Sequence, residues 1–355
     1  MLKNWVFRGA APGWRYGLAA ALLLLAVGVH AQVRNAKNAA QAQPIAVVAS
    51  FSVLGEMVDR IGGEHIALTT LIGPGGDAHS YEPTPEDAKA LAGAQLLFLN
   101  GLGFESWMPR LLKSSGFDGV QVVVSEGVEP RSLAEGGHHH GHDDDHGHGD
   151  DHGHADDHED TAKGDTKTAH DHAHVDPHAW QSLGNGMIYA QNIGIALAKA
   201  DPPNAFVYME RTQAYITEMK KLDVEIRQAL KQIPEDRRTV VTSHDSFGYF
   251  EQDYGVRFIS IMGPSSEAEP SARDLAAIIK TVREQNGVAV FVENVANPKL
   301  VQQIARETNA MVGDTLFSDA LGQPDEPAGT YLGMFKWNAG QLIYALSDKS
   351  LTERN

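Results

Sequence analysis

Apolar residues in this chain fall into short unbroken runs that alternate with stretches of helical spacing. Ile45 to Ser50 (IAVVAS) reads as a buried strand, and Phe51 to Ile61 carries a helical stripe in Leu54, Met57, Val58 and Ile61. Ala67 to Ile72 predicts a second strand, closed by the turn Gly73-Pro74-Gly75-Gly76. A helix should start at Pro85, with Thr84 as its N-cap and the acids Glu86 and Asp87 in its first turn. Gln95 to Leu99 and Val120 to Val124 are strand-like again. Strands alternating with helices predict an α/β fold with a parallel sheet covered on both faces.

A second alternating region lies further along: strands at Thr239 to Thr242, Arg257 to Ile261 and Val288 to Val292, helices from Ser271 and Pro298, and a last helix ending near Leu346. Between the two regions, Asp201 to Ile233 forms one long helical pattern. Phe206, Met209, Tyr215, Ile216, Met219, Leu222, Ile226, Leu230 and Ile233 recur at threes and fours. At 1.5 Å per residue such a helix runs roughly 40 Å, about the diameter of a lobe. The expected organisation is an N-terminal α/β lobe over 32–200, a linking helix over 201–233 and a C-terminal α/β lobe over 234–355.

Two segments fall outside this scheme. Lys3, Arg8 and Arg15 precede the apolar run 17–29, and small residues end at Ala31. That is the anatomy of a cleavable signal peptide over 1–31, since a membrane span needs roughly 20 apolar residues. Residues 136–174 hold twelve of the 17 histidines, 11 acids and 2 lysines, with almost no aliphatic or aromatic side chain. Such a segment cannot bury enough surface to offset its chain entropy, and a disordered His-rich loop is expected.

Composition then narrows the chemistry. The 355 residues suit two domains, and 42% hydrophobic content is ordinary for buried cores. A formal net charge of −17 disfavours a nucleic-acid partner, which needs clustered Lys and Arg. No cysteine is present. Disulfides, thiolate sites and cysteine nucleophiles are therefore excluded, and a periplasmic protein without a lipid anchor is expected. Any metal site must be built from nitrogen and oxygen.

Outside the signal peptide and the His-rich segment, His65, His79, His178 and His244 remain. His79 follows the 73–76 turn, His178 stands in DPHAW ahead of a helix, and His244 directly follows the strand at 239–242. In open α/β sheets the loops at the carboxyl ends of strands line one crevice, so these three are candidates for a shared site. His65 precedes a strand, at the opposite edge, and is left out. Three neutral imidazoles suit zinc, and a carboxylate commonly completes four-coordinate geometry. Glu293, Asp314 and Asp319 are all placed to supply it, and spacing does not choose among them.

The segments GPGGDAHSYEPTPEDA (73–88), DPHAW (176–180), TSHDSFGYF (242–250), GPSSEAEPSARDL (263–275), ENVANPKLVQQIA (293–305) and GDTLFSDAL (313–321) resemble the zinc and manganese solute-binding family of ABC importers. The likeness extends over nearly the whole mature chain, in the family's order. It implies two lobes bridged by a long helix, with metal in the cleft held by His79, His178, His244 and Asp319. It further implies a membrane permease as partner, a zinc chaperone as a second candidate partner, and a monomer. Manganese-preferring members often carry a carboxylate where this chain has His244, which places it beside the zinc binders. The expected cargo is one tightly held zinc ion, with additional weak sites in the His-rich loop.

Two other classes are weighed against this one. A secreted metallohydrolase needs an open coordination position and a general base, and the H-E-x-x-H pattern is missing. No enzyme is expected. A zinc storage or buffering protein would make the His-rich loop the working part. A manganese-binding member of the same importer family is the remaining alternative.

Overall fold

The computed structural model describes residues 43–133, 175–265, 270–285 and 288–347. The expected signal peptide and the His-rich loop lie outside these residues.

Two sheets of four parallel strands form the frame. The first is built from β1 (Ile45–Phe51), β2 (Ile66–Ile72), β3 (Leu96–Leu99) and β4 (Val120–Val123). The second has β5 (Thr239–Thr242), β6 (Arg257–Ser260), β7 (Ala289–Val290) and β8 (Met311–Val312). Their spatial orders are β2-β1-β3-β4 and β6-β5-β7-β8, so both lobes share one topology. The central pair of each sheet is almost wholly buried, which explains why these strands read as unbroken apolar runs. The edge strands β4 and β6 are largely or partly open, with Val120 and Val123 exposed.

In each sheet the chain leaves the first strand to one side and returns to build on the other. The switch points therefore lie at the carboxyl ends of β1 and β3, and of β5 and β7. Helix α1 (Ser52–Gly62) follows β1 directly and buries Leu54, Met57, Val58 and Ile61, the stripe expected from the sequence. Helix α2 (Pro85–Ala92) starts with the expected cap: the Thr84 side chain accepts from the Asp87 backbone N–H, and Asp87 accepts in return from Thr84 N–H at 2.7 Å. Helix α3 (Met108–Ser115) precedes β4, and α4 (Leu183–Ala200) follows the DPHAW segment.

The long connector is α5 (Ala205–Leu230), about 39 Å at 1.5 Å per residue. It is shorter than the expected 201–233. Pro202 and Pro203 open a separate 3₁₀ turn, and Ile233 lies beyond the helix end, though still buried. The buried stripe runs through Tyr208, Thr212, Tyr215, Ile216, Met219, Leu222, Ile226 and Leu230. Phe206 was expected in it but is 79% exposed, on the face of the first turn opposite the buried Tyr208. Thr212 is buried in the stripe although polar: its Oγ1 donates to the Tyr208 carbonyl, and it packs against Gly194 of α4.

Helices α6 (Gly248–Tyr254), α7 (Ala272–Glu284) and α8 (Lys299–Thr308) cover the second sheet. The last helix, α9 (Tyr331–Leu346), packs on both α5 and α1. One apolar core consequently runs from Val47 and Phe98 in the first sheet through α5 to Val240, Ala289 and Phe291 in the second. A smaller cluster, including Val241, Ile279, Val290 and Ile304, fills the far face of the second sheet. Among the described residues no helix is long and apolar enough to cross a membrane.

Candidate metal centre

The loops at the carboxyl ends of the strands face each other across the two sheets. His79 sits in the segment after β2, His178 ahead of α4, His244 immediately after β5, and Asp319 in the loop after β8. One donor atom from each of these four lies within 4.8 Å of the others. His79 Nε2 is 3.3 Å from His178 Nε2 and 3.3 Å from Asp319 Oδ2. His244 Nε2 is 3.0 Å from Asp319 Oδ2, and His178 Nε2 is 3.6 Å from Asp319 Oδ1. Donors about 2.0–2.1 Å from a tetrahedral ion stand roughly 3.3 Å apart. The cluster is thus drawn together at the spacing an ion would need.

Burial makes the arrangement costly without a cation. His178, His244 and Asp319 are buried, and only the His79 side chain keeps some exposure, at 10%. Asp319 Oδ1 has no hydrogen-bond partner among the described residues, so a buried carboxylate oxygen is left facing the cluster. Phe104 stands edge-on to His79 at 5.0 Å, and Trp180 to His178 at 5.3 Å, walling the cluster with apolar surface. Beside His79 a groove of 440 Å³, lined by Ser80, Tyr81, Ser106, Trp107 and Arg110 among others, leads to the surface.

Behind two of the imidazoles stands a carboxylate. Asp176 Oδ1 is 2.8 Å from His178 Nδ1 and also accepts the His178 backbone N–H at 3.0 Å. Glu293 Oε2 lies 2.7 Å from His244 Nδ1, as a charge contact not aligned for a hydrogen bond, and Oε1 accepts the His244 backbone N–H at 2.9 Å. At His178 the carboxylate keeps the proton on Nδ1 and turns the Nε2 lone pair toward the cluster, and at His244 Glu293 favours a proton on Nδ1 by its charge, leaving Nε2 to take an ion once its own proton is displaced. Burial presses the His244 imidazolium down, but Glu293 and Asp319 outweigh it and hold the proton well above the usual range. Burial likewise opposes ionisation of Asp319, yet His244 and His178 keep its carboxyl well below the ordinary value. Asp245, next along the chain, is pushed up by burial and by Asp176, with Arg131 opposing.

The lobes are tied to each other at the same place. The Ser318 carbonyl, adjacent to Asp319, accepts from Trp180 Nε1 at 2.9 Å and from Gln181 Nε2 at 2.7 Å. The Tyr331 hydroxyl donates to the Trp180 carbonyl at 2.7 Å, and the Leu321 N–H donates to Ser52 Oγ at 3.0 Å. Segments carrying His178 and Asp319 are therefore pinned to one another by groups that no ion has to supply.

Of the three carboxylates offered for the fourth position, the structure brings only Asp319 into the cluster. Glu293 is buried behind His244, where Oε1 accepts the His244 backbone N–H and Oε2 faces Nδ1. Asp314 is exposed. His65 sits at the far edge, with Nε2 3.2 Å from Glu64 and its ring against Tyr208. Asp176 and Asp77 were not singled out, although each stands two residues before a histidine. Asp77 Oδ1 accepts the His79 N–H at 2.9 Å, the same contact that Asp176 makes to His178. An Asp-x-His spacing was the available signal. Arg131 and Tyr249 also join the site, and nothing local in the sequence marks them.

Three imidazoles and a carboxylate buried between two parallel-sheet lobes define a metal-binding protein of the two-lobed solute-binding class. The sequence profile of the zinc-uptake complex component A, periplasmic, matches residues 47–345, and the chain belongs to that family of zinc and manganese solute-binding subunits of ABC importers. FimA, a metal ABC transporter substrate-binding lipoprotein of Streptococcus parasanguinis, is 31% identical over 307 residues, 85% of this chain and 89% of its own length. The manganese-binding lipoprotein MntA of Halalkalibacterium halodurans is 27% identical over 327 residues, 92% of this chain and 96% of its own. The solved periplasmic zinc binding protein TroA from Treponema pallidum superposes with a TM-score of 0.71 at 26% identity, covering 86% of this chain and 100% of its own. The expected two-lobed fold with a linking helix agrees with that likeness. FimA and MntA are named lipoproteins, so they lend nothing to the expectation of an unanchored protein.

Proposed function

We propose that the chain captures a zinc ion between His79, His178, His244 and Asp319 and delivers it to the permease of an ABC importer. The observation that carries this reading is the convergence of three Nε2 atoms and one carboxylate within 4.8 Å, three of the four residues buried. Neutral imidazoles suit zinc, whereas manganese, lower in the Irving–Williams order, prefers shells richer in oxygen. Four protein donors leave no position for an activated water, which argues for carriage over hydrolysis. Export to the periplasm, action as a monomer, the lobe boundaries at 200 and 234, and weak ancillary zinc sites in 136–174 belong to the same reading.

Manganese is the second reading, favoured by the name of MntA. Zinc outranks manganese at almost any nitrogen and oxygen site, so the two are separated by growth rather than by affinity. Cells lacking the protein should grow slowly under zinc starvation and be rescued by added zinc; rescue by manganese alone would reject the zinc assignment. Native mass spectrometry of the protein with 138–174 deleted tests the storage alternative. One tight ion should remain, and loss of all tight binding would place the function in the loop instead.

A further inference from the structure

The two carboxylates behind the histidines differ in what stands behind them in turn. Asp176 uses its second oxygen, Oδ2, to accept from Arg131 Nη1 at 2.9 Å, and both carboxyl oxygens are therefore engaged. Glu293 has a hydroxyl and a backbone N–H, from Ser246 and His244, and among the described residues no Lys or Arg reaches it. One imidazole is thus backed by a carboxylate paired with a guanidinium, and the other by a carboxylate that no Lys or Arg among the described residues reaches.

Arg131 is held in place with care. Its backbone N–H donates to the Tyr249 hydroxyl at 2.9 Å, and that hydroxyl donates to the Asp176 carbonyl at 3.2 Å. Its own carbonyl accepts the Asp176 N–H at 2.8 Å. The guanidinium rests on Gly248 of α6, where a Cβ would come within 2.1 Å of Nη1 and 2.7 Å of Asp176 Oδ2. The second lobe leaves a side chain out at that position, and the ion pair of the first lobe fills the space.

We infer that Arg131 is a positioning residue that weakens the grip of His178 on the metal by neutralising the carboxylate behind it. The inference rests on the metal-capture reading above and deepens it. A carboxylate at Nδ1 strengthens an imidazole ligand by pulling on its proton, and a guanidinium on the same carboxylate pulls the other way. The charges make the same point. With a divalent ion bound, the three carboxylates in contact with the ligand imidazoles, Asp319, Asp176 and Glu293, form with the ion and Arg131 a set whose charges cancel, while Asp245 stands outside it with a carboxyl that burial pushes up. Without Arg131 the set would carry a surplus negative charge facing the ion, and the ion would leave more slowly. A carrier that must surrender its cargo gains from such a brake, and His178 becomes the ligand that yields before His244.

The test compares the full chain with Arg131→Gln, which keeps a donor to Asp176 but removes the charge, and Arg131→Lys, which restores the charge. Zinc affinity is read by chelator competition and zinc loss by stopped flow with excess chelator. Arg131→Gln should bind zinc about tenfold more tightly, the lower end of what groups behind a metal ligand contribute. The change should appear in the dissociation rate, and Arg131→Lys should return toward the parent. Affinity that is unchanged or weaker in Arg131→Gln overturns the inference, since a purely structural role predicts loosening. If Arg131→Gln does not fold, Arg131→Met, which keeps the apolar stem over Gly248, is read in the same way. Failure of the parent chain to hold one zinc ion would instead reject the capture reading.

Discussion

Replacing His244 with alanine removes one donor from the middle of the site. Structural zinc binds with about 10–16 kcal/mol, so one donor in four carries roughly 3 kcal/mol, or about 150-fold in affinity. One feature reduces that figure. In the metal-free protein Glu293 at Nδ1 and Asp319 at Nε2 both favour the protonated His244 ring, and an incoming ion must displace the proton from the nitrogen it takes. The variant has no such proton to lose, which brings the expected loss to about 100-fold. Two measurements read it. Competition with a chromophoric chelator gives Kd directly. Thermal unfolding gives it through linkage: zinc at a thousand times the parent Kd stabilises the fold by about 4 kcal/mol, and the same zinc stabilises the variant by only about 1.4 kcal/mol. At roughly 2–4 °C per kcal/mol the zinc-induced rise in Tm should fall to about a third. The fold itself should survive, since Glu293 keeps Ser246 and the backbone N–H of residue 244. An unchanged Kd in a folded variant would refute the ligand assignment.

Affinity should fall with acid, and the sign follows from His244. Its folded, metal-free pKa is raised, while the bound form needs neutral imidazole, so protons begin to compete above the usual histidine value of about 6.5. Kd measured against pH should rise as pH falls through that window, with the gap between parent and His244→Ala narrowing; a flat profile would contradict the protonated metal-free state. Calorimetry in buffers of different ionisation enthalpy should show proton release on zinc binding near neutrality, and a buffer-independent heat would speak against it. Glu293→Gln should weaken zinc binding by roughly 10–100-fold without unfolding the protein, measured by the same chelator competition. Gly186→Ala should cost about 1–3 kcal/mol in urea unfolding, because its Cβ would meet the buried Tyr331 hydroxyl at 2.3 Å and displace it from the Trp180 carbonyl.

Much of the frame was legible because its signals are local. β1, β3 and β5 are buried on both faces and so appear as continuous apolar runs, and α2 carries its cap in four consecutive residues. β8 has only two residues, and α6 opens with Gly248 over seven residues, too few for a periodic pattern to stand out. The stripe of α5 was misread at its start because Phe206 is apolar yet faces solvent, while Tyr208 and Thr212 are buried through the polar contacts they make. His79 and His244 could be found from their position after strands, and His178 from its place in DPHAW ahead of a helix. Asp319 could not be separated from Glu293 and Asp314 by spacing, and only the family resemblance chose it. Glu293 and Asp319 are both buried acids beside His244, one behind its Nδ1 and one at its Nε2, and that difference is set by tertiary contacts that no local pattern records. Arg131 and Asp176 lie 45 residues apart in sequence, with the His-rich segment between them, and only folding makes them neighbours.

The four donors are unequal in depth. His79 borders the groove along Tyr81, Trp107 and Arg110, and the other three lie behind it. An ion arriving by that route meets one imidazole first and passes it last on the way out, so a single side chain stands as doorpost for both directions of traffic. Because Trp180 and Gln181 already fasten the Ser318 carbonyl, the back of the chamber is set before any ion enters.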